Sequence, residues 1–312
     1  MLSHQVCTED SNCLSNEIRI EDKALFNRYI QSYPYQISDI NFTNLFMWRH
    51  LYHLRYEIIH DFLCISGYYY GEPFLFPPLT LQVYDPVKLS RALEVLKQRL
   101  RTGKAPLKMK FVPEPLLEVF QSLRDHDIEA APDRDNFDYI YSAEDLSKLQ
   151  GRRFHSKKNH FNHFKKNTAY EYVPLTPALI DGCMSLTRRL MDDEASPLEK
   201  SLLENEEKAI YQALSHMDRL GYTGAAIVIH NQVEAFTLGE KTDNDTLLVH
   251  IEKANAEIRG LYQAINTLFC RNECEHITYV NREEDMGFEN LRKAKESYHP
   301  IKLLEKYDVT IL

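Results

Sequence analysis

His250 and Glu252 stand two apart in a run, Leu247 to Ile251 and onward, whose apolar and β-branched content predicts a strand. On a strand, positions two apart face the same side. Either side chain could then take a proton from an attacking amine, directly or through a water. An amine must lose a proton as it attacks an acyl carbon, and a base poised near neutrality helps. Glu240, at the end of the preceding predicted strand, could approach the same face. The plainer alternative is a structural hydrogen-bonded pair assisted by Lys253.

A second constellation follows a short predicted strand: Asn281-Arg282-Glu283-Glu284-Asp285. Charged residues leaving a sheet edge sit where an open α/β fold binds ligands. There Arg282 could grip a carboxylate or phosphate with two parallel hydrogen bonds, and Asn281 could orient an acyl group. Glu283 and Asp285 belong to the same candidate binding segment. An internal ion network pinning the last helix is the alternative.

The third feature is a local inversion of charge. Gly151 to Tyr170 holds Arg152, Arg153, Lys157, Lys158, Lys165, Lys166 and three histidines, with no acid. Such a cluster could bind the phosphates of a tRNA acceptor stem or of coenzyme A with salt-sensitive strength; it could equally be a solvated helix balancing an acidic neighbour. Phe154, Phe161 and Phe164 are spaced to share one helix face while most of the lysines point elsewhere. Glu206 falls on the apolar face of a predicted long helix, where a carboxylate needs a partner, and a structural salt bridge is expected.

Other chemistries find no footing. The sequence has no Walker motif, dinucleotide fingerprint, paired-histidine zinc helix, EF-hand loop or nucleophile elbow. Its six cysteines, at 7, 13, 64, 183, 270 and 274, are scattered. Cys270, Cys274 and His276 lack a second half-site, so no metal is expected. The composition, 312 residues with 44% hydrophobic and 27% charged and a formal charge of −9, supports a buried core without disulfides and argues against a generally basic surface. No run approaches the length of a membrane-spanning helix, and Met1 to Asn16 does not read as a signal peptide. A reduced, cytoplasmic protein of unknown oligomeric state is expected.

The elements that must position these residues alternate between helix and strand. In the first half, Leu63–Tyr70, Leu107–Val112 and Phe137–Tyr141 read as strands, and Leu89, Leu93, Leu96 and Leu100 as a helix stripe. The second half reads as a long helix stopped by Gly221, a hairpin turning at Asn231-Gln232, a strand at Leu247–Ile251, a helix from about Ala256 to Phe269, a strand at Ile277–Val280, a helix and a closing strand. This is a mixed α/β architecture. Two domains are expected, 1–150 and 151–312, the second carrying the main motifs.

The stretches Val233 to Glu240 (VEAFTLGE), Val249 to Ala254 (VHIEKA), Gly260 to Asn266 (GLYQAIN), Tyr279 to Gly287 (YVNREEDMG) and Leu291 to Pro300 (LRKAKESYHP) closely resemble the bacterial DUF2156 family. That family is similar to the C-terminal domain of phosphatidylglycerol lysyltransferases. The resemblance implies two tandem domains of the GCN5-related N-acyltransferase type and transfer of an acyl or aminoacyl group to an amine on a small molecule, peptide or lipid. The donor it implies is aminoacyl-tRNA or an acyl-CoA. It also implies that Tyr298 protonates the leaving group, and that the loop holding Arg259 and Tyr262 contacts the donor. That loop, Ala256 to Tyr262, has one glycine where the superfamily's coenzyme A cradle has a fuller Gly pattern. The class-level alternative is a non-catalytic small-ligand or RNA-binding protein that keeps the fold. Convergence of His250, Glu252 and Arg282 on one polar cleft would favour the enzyme; separate buried ion pairs would favour the alternative.

Overall fold

The computed structural model describes residues 14–32, 37–69, 71–100, 106–191, 197–242 and 245–312; Cys7, Cys13 and Tyr70 lie outside them. The chain divides into two compact units, Met1–Arg134 with Glu305–Leu312, and Asp135–Leu304.

The first unit runs β1 (Asn16–Glu17), α1 (Lys23–Gln31), α2 (Phe42–Trp48), β2 (Arg55–Ile59), β3 (Phe62–Tyr69), β4 (Glu72–Leu75), β5 (Leu79–Thr80), α3 (Pro86–Arg99), β6 (Leu107–Pro113), α4 (Glu114–Gln121) and β7 (Ile128–Pro132). Asp85 starts α3 by accepting from the amides of Val87 and Lys88, with Pro86 already at helical φ. The leucine stripe Leu89, Leu93 and Leu96 is fully buried, as its spacing predicts.

The second unit runs β8 (Asp138–Ser142), α5 (Ala143–Lys148), α6 (His155–Asn167), β9 (Glu171–Pro174), α7 (Ile180–Arg189), α8 (Pro197–Ser215), α9 (Met217–Leu220), β10 (Thr223–Ile229), β11 (Gln232–Thr242), β12 (Thr246–Ala254), α10 (Leu261–Glu273), β13 (Tyr279–Asn281), α11 (Glu289–Glu296) and β14 (Lys302–Leu304). The chain closes with β15 (Lys306–Ile311).

Each unit is built on one mixed sheet. The first has the order β1-β2-β3-β4-β6-β15-β7, with β5 beside β3; the second has β14-β8-β13-β12-β11-β10-β9. The expected fold class, mixed α/β in two units, is that of the structure. Several details differ from the sequence expectation. The strand at Phe137–Tyr141 pairs with β13 and β14, so it opens the second sheet instead of closing the first. The division therefore falls at 134/135, before the expected residue 150. The last strand, β15, returns to the first sheet between β6 and β7.

The β10–β11 hairpin turns at His230-Asn231, one residue earlier than expected. Both residues have positive φ, 49° and 62°, the twist a two-residue hairpin turn requires. The core of the second unit packs Leu261, Ile265 and Phe269 of α10 with Phe161 and Phe164 of α6 and with Val249 and Val280 of the sheet. Phe154, Phe161 and Phe164 share that buried face. Gly260 begins α10 at φ +86°; a Cβ there would stand 2.2 Å from the carbonyl oxygen of His160, so only glycine lets α6 approach this turn.

Candidate active site

The site forms where two parallel strands part company. β12 and β13 pair only from Thr246↔Tyr279 to Leu248↔Asn281. β12 then continues to Ala254, while the chain leaves β13 at Asn281. Residues 282 and 283 thus enter the space beside the free stretch of β12, at the carboxyl end of the parallel pair, where α/β sheets place their ligands.

Arg282 and Glu283 each take one partner from β12. Arg282 Nη2 donates to Glu252 Oε1 at 2.9 Å, and Glu283 Oε1 lies 3.2 Å from His250 Nδ1. The other His250 nitrogen, Nε2, is 3.0 Å from Glu240 Oε1. Burial works against a charged imidazole here, but the hydrogen bonds and charges of Glu240 and Glu283 overcome it and raise the His250 pKa to about 9. A ring that donates from both nitrogens has no lone pair to receive a proton. His250 is thus a clamped cation and not a free base.

The expectation that His250 and Glu252 share a face is corrected by a β-bulge. The β11–β12 register passes from Leu238↔Ile251 to Gly239↔Val249, making His250 the extra residue of the bulge. The extra residue breaks the two-residue alternation, and the two side chains enter adjacent but separate ion pairs.

Glu252 is the centre of the second pair. Its Oε2 accepts from Asn266 Nδ2 of α10 at 2.9 Å. The pair is well enclosed, with side-chain exposures of 14% for Arg282 and 9% for Glu252. Burial opposes the Arg282 charge, but Glu252 holds the guanidinium above its ordinary range. Two buried atoms beside this carboxylate have no hydrogen-bond partner: Arg282 Nη1 and Asn266 Oδ1. Leaving such atoms unsatisfied costs about 1–3 kcal/mol each, a cost that a bound polar group would remove. One is a charged donor and the other an acceptor, so the node can receive a group with opposite polarity at its two ends.

Aromatic rings and a lysine wall this node. The Arg282 guanidinium lies 4.9 Å from the ring centre of Tyr298 and 5.6 Å from that of Tyr141. Lys157 Nζ stands 4.3 Å from the Tyr298 ring centre. Burial, then the nearby Arg282 charge, lowers the Lys157 pKa. Burial also raises the pKa of Tyr298, keeping its phenol protonated, with Arg282 and Gln263 acting against the rise.

The remaining charged residues hold the segment in shape. Buried Asn281 donates to Asp138 at 3.0 Å and accepts from the amide of Glu283 at 2.8 Å. Lys295 Nζ donates to the carbonyls of Arg282, at 2.6 Å, and Glu284; burial lowers its pKa to about 8. Asp285 is fully buried; it accepts from Tyr139 at 2.6 Å and from Arg292 at 2.9 and 2.8 Å. Burial would raise its pKa, but these hydrogen bonds bring it to about 2. Asp285 therefore pins α11 through Arg292, the internal network weighed as the alternative for this segment.

Most of the other sequence candidates lie apart. Arg259 is exposed; Tyr262 is half-buried, its pKa raised first by burial and then in part by the nearby Glu252 and Glu206 charges. Arg152, Lys158, Lys165 and Lys166 are exposed along and just before α6. Arg153 pairs with Asp145 at 2.5 Å, and Lys157 alone of the run reaches Tyr298. Glu206 forms the expected salt bridge, to Lys253 at 2.7 Å. Among the described residues no group of three or more His, Cys, Asp or Glu is placed to hold a metal, and no helix is long and apolar enough to cross a membrane. Sequence reasoning missed Asn266, Gln263, Tyr141 and Lys295. Asn266 carried a signal: an amide in the middle of the otherwise apolar face of α10.

Residues 30–310 match the family described as phosphatidylglycerol lysyltransferase, C-terminal. A crystal structure of a conserved protein of unknown function from Bacteroides thetaiotaomicron is 31% identical, with a TM-score of 0.84, covering 95% of this chain and 99% of its own. At fold level, the structure of L-PGS from Bacillus licheniformis superposes with a TM-score of 0.66 at 11% identity, over 97% of this chain and 93% of that one. The C-terminal DUF2156 domain of an Agrobacterium fabrum protein named for lysylphosphatidylglycerol synthesis gives 0.61 at 12% identity, over 94% and 92%. An uncharacterised protein of Mycoplasmoides gallisepticum is 23% identical over 186 residues, so the match spans 56% of this chain and 56% of that relative's length.

Proposed function

The chain belongs to the phosphatidylglycerol lysyltransferase C-terminal family, and on that premise we propose that its second unit transfers an aminoacyl group from an ester donor to an amine acceptor. The observation that carries this is the buried Arg282–Glu252–Asn266 node with its two unsatisfied atoms. An aminoacyl ester has a cationic ammonium at one end and a carbonyl oxygen at the other. Asn266 Oδ1 and Glu252 suit the first; Arg282 Nη1 suits the oxygen as it gathers charge. Glu252 has acceptor capacity beyond its two hydrogen bonds and takes the acceptor's proton, directly or through water. The amine nitrogen bonds to the acyl carbon, the ester C–O bond breaks, and the Tyr298 phenol protonates the departing oxygen. His250, clamped by Glu240 and Glu283, positions the segment that carries Arg282.

The donor in this scheme is aminoacyl-tRNA, with acyl-CoA the runner-up. The single glycine of the Arg259-Gly260 turn is occupied by its contact with the His160 carbonyl, which argues against a coenzyme A cradle there. The exposed cations Arg152, Lys158, Lys165 and Lys166 suit an acceptor-stem backbone. A lipid, peptide or small-molecule amine is the acceptor class.

A second function, ligand binding without turnover, is favoured by one observation: His250 and Glu252 sit in separate ion pairs. Native mass spectrometry of gently purified protein, with bound RNA and small molecules identified after denaturation, separates the possibilities. Enriched charged tRNA supports the aminoacyl donor, and co-purified coenzyme A species replace it with the runner-up. A protein that carries neither, and binds neither when they are added, contradicts both donors.

A further inference from the structure

The far end of α10 carries chemistry that the transfer site does not use. Cys270 lies in its last turn and Cys274 caps it, the Cys274 amide donating to the Cys270 carbonyl at 3.0 Å. The buried thiol of Cys270 and the half-buried thiol of Cys274 stand one helical turn apart. Both line an open groove of about 640 Å³, together with Ser147, Lys148 and Arg271, so a small reagent can reach this pair from solvent.

We infer that Cys270 and Cys274 form an oxidisable thiol pair, with Cys274 the site of attack on a small hydroperoxide and Cys270 the resolving thiol. The Cys274 sulfur attacks one peroxide oxygen, the O–O bond breaks, and water or an alcohol leaves, giving a sulfenic acid. The Cys270 thiol then attacks that sulfur, expelling water and closing a disulfide. The peroxide is reduced and the two thiols are oxidised. The neighbouring Cys270 thiol comes first among the causes that lower the Cys274 pKa, assisted by Lys241 and opposed by burial and by Glu273. The Cys270 pKa is raised by the neighbouring Cys274 thiol and by burial, as befits the second thiol to react.

Geometry links the pair to the transfer site. Side chains four apart on a helix have Cβ atoms about 5–6 Å apart, whereas a disulfide needs about 3.5–4.5 Å. Closing the bond must therefore tighten the last turn of α10. Asn266, which holds Glu252, stands one turn before Cys270. Oxidation should loosen α10 where the Glu252 carboxylate is oriented.

Trypsin provides a direct readout because Arg271 lies between the two cysteines. Treatment of the full chain with hydrogen peroxide, then alkylation and digestion, should yield the peptides Gly260–Arg271 and Asn272–Arg282 joined by a disulfide. In C270S the second step is absent, and dimedone should trap a sulfenic acid at Cys274. Before oxidation, iodoacetamide should modify Cys274 about tenfold faster than Cys270. Amide exchange within residues 261–270 should accelerate about threefold on oxidation. Two thiols that stay alkylatable after peroxide, or linkage to another cysteine, would overturn the pair. A linked pair with unchanged exchange would overturn its coupling to the site. Neither outcome depends on whether the protein transfers an aminoacyl group.

Discussion

Arg282 donates to Glu252 through Nη2 at 2.9 Å while its other terminal nitrogen, Nη1, is buried and has no hydrogen-bond partner. A guanidinium that spends one branch on a carboxylate and leaves the other free both anchors that carboxylate and presents a charged donor.

Replacing Arg282 separates these roles. R282A leaves Glu252 buried beside Asn266 without its cation and should lower unfolding free energy by about 3 kcal/mol, read from urea denaturation. R282K keeps the charge but loses the planar fork. It should retain most of the stability and lose about 100-fold in transfer rate, on the scale of removing one donor to a developing oxyanion.

Asn266 tests the orientation of the carboxylate. N266A should cost about 1 kcal/mol of stability, with a larger proportional loss of transfer. N266D sets a second carboxylate against Glu252 and should be the more damaging variant in both measurements. Thermal denaturation and the transfer assay run side by side would check this; equal effects of N266A and N266D would refute the polarity assigned to this position.

His250 predicts a pH dependence of definite sign. Its folded pKa is raised from 6.5 to about 9, so the stabilisation from Glu240 and Glu283 is fully present below 6.5 and is lost as the pH rises through about 9. The melting temperature should fall across that window in the wild type. In H250F the fall should be much reduced, at the expense of lower stability at pH 6.

Gly260 tests the close packing of α6 on the start of α10. G260A forces a Cβ into the His160 carbonyl at a φ of +86° and should destabilise by about 2 kcal/mol or more. Tolerance of alanine, seen as an unchanged urea midpoint, would show that this turn is looser than the packing described.

Much of this architecture was legible in the sequence because its signals are local. The Leu89–Leu93–Leu96 stripe, the Phe154–Phe161–Phe164 face and the Gly221 stop each depend on a few neighbouring residues. The partners of Arg282, Glu283 and Asp285 were not legible, because they come from β8, β12 and α11 and are chosen by sheet order and helix packing. The bulge at His250 was hidden for a related reason. A strand's alternation is visible in sequence, but an extra residue is defined only against its paired strand. The return of β15 to the first sheet depends in the same way on a long-range pairing.

The most direct test of the central claim is a transfer assay with labelled aminoacyl-tRNA or labelled acyl-CoA and a panel of lipid, peptide and small-molecule amines, run on wild type and R282K. The account predicts acyl transfer from aminoacyl-tRNA that falls about 100-fold in R282K while the variant remains folded. Transfer from acyl-CoA alone, or transfer from tRNA that R282K leaves unchanged, would contradict it.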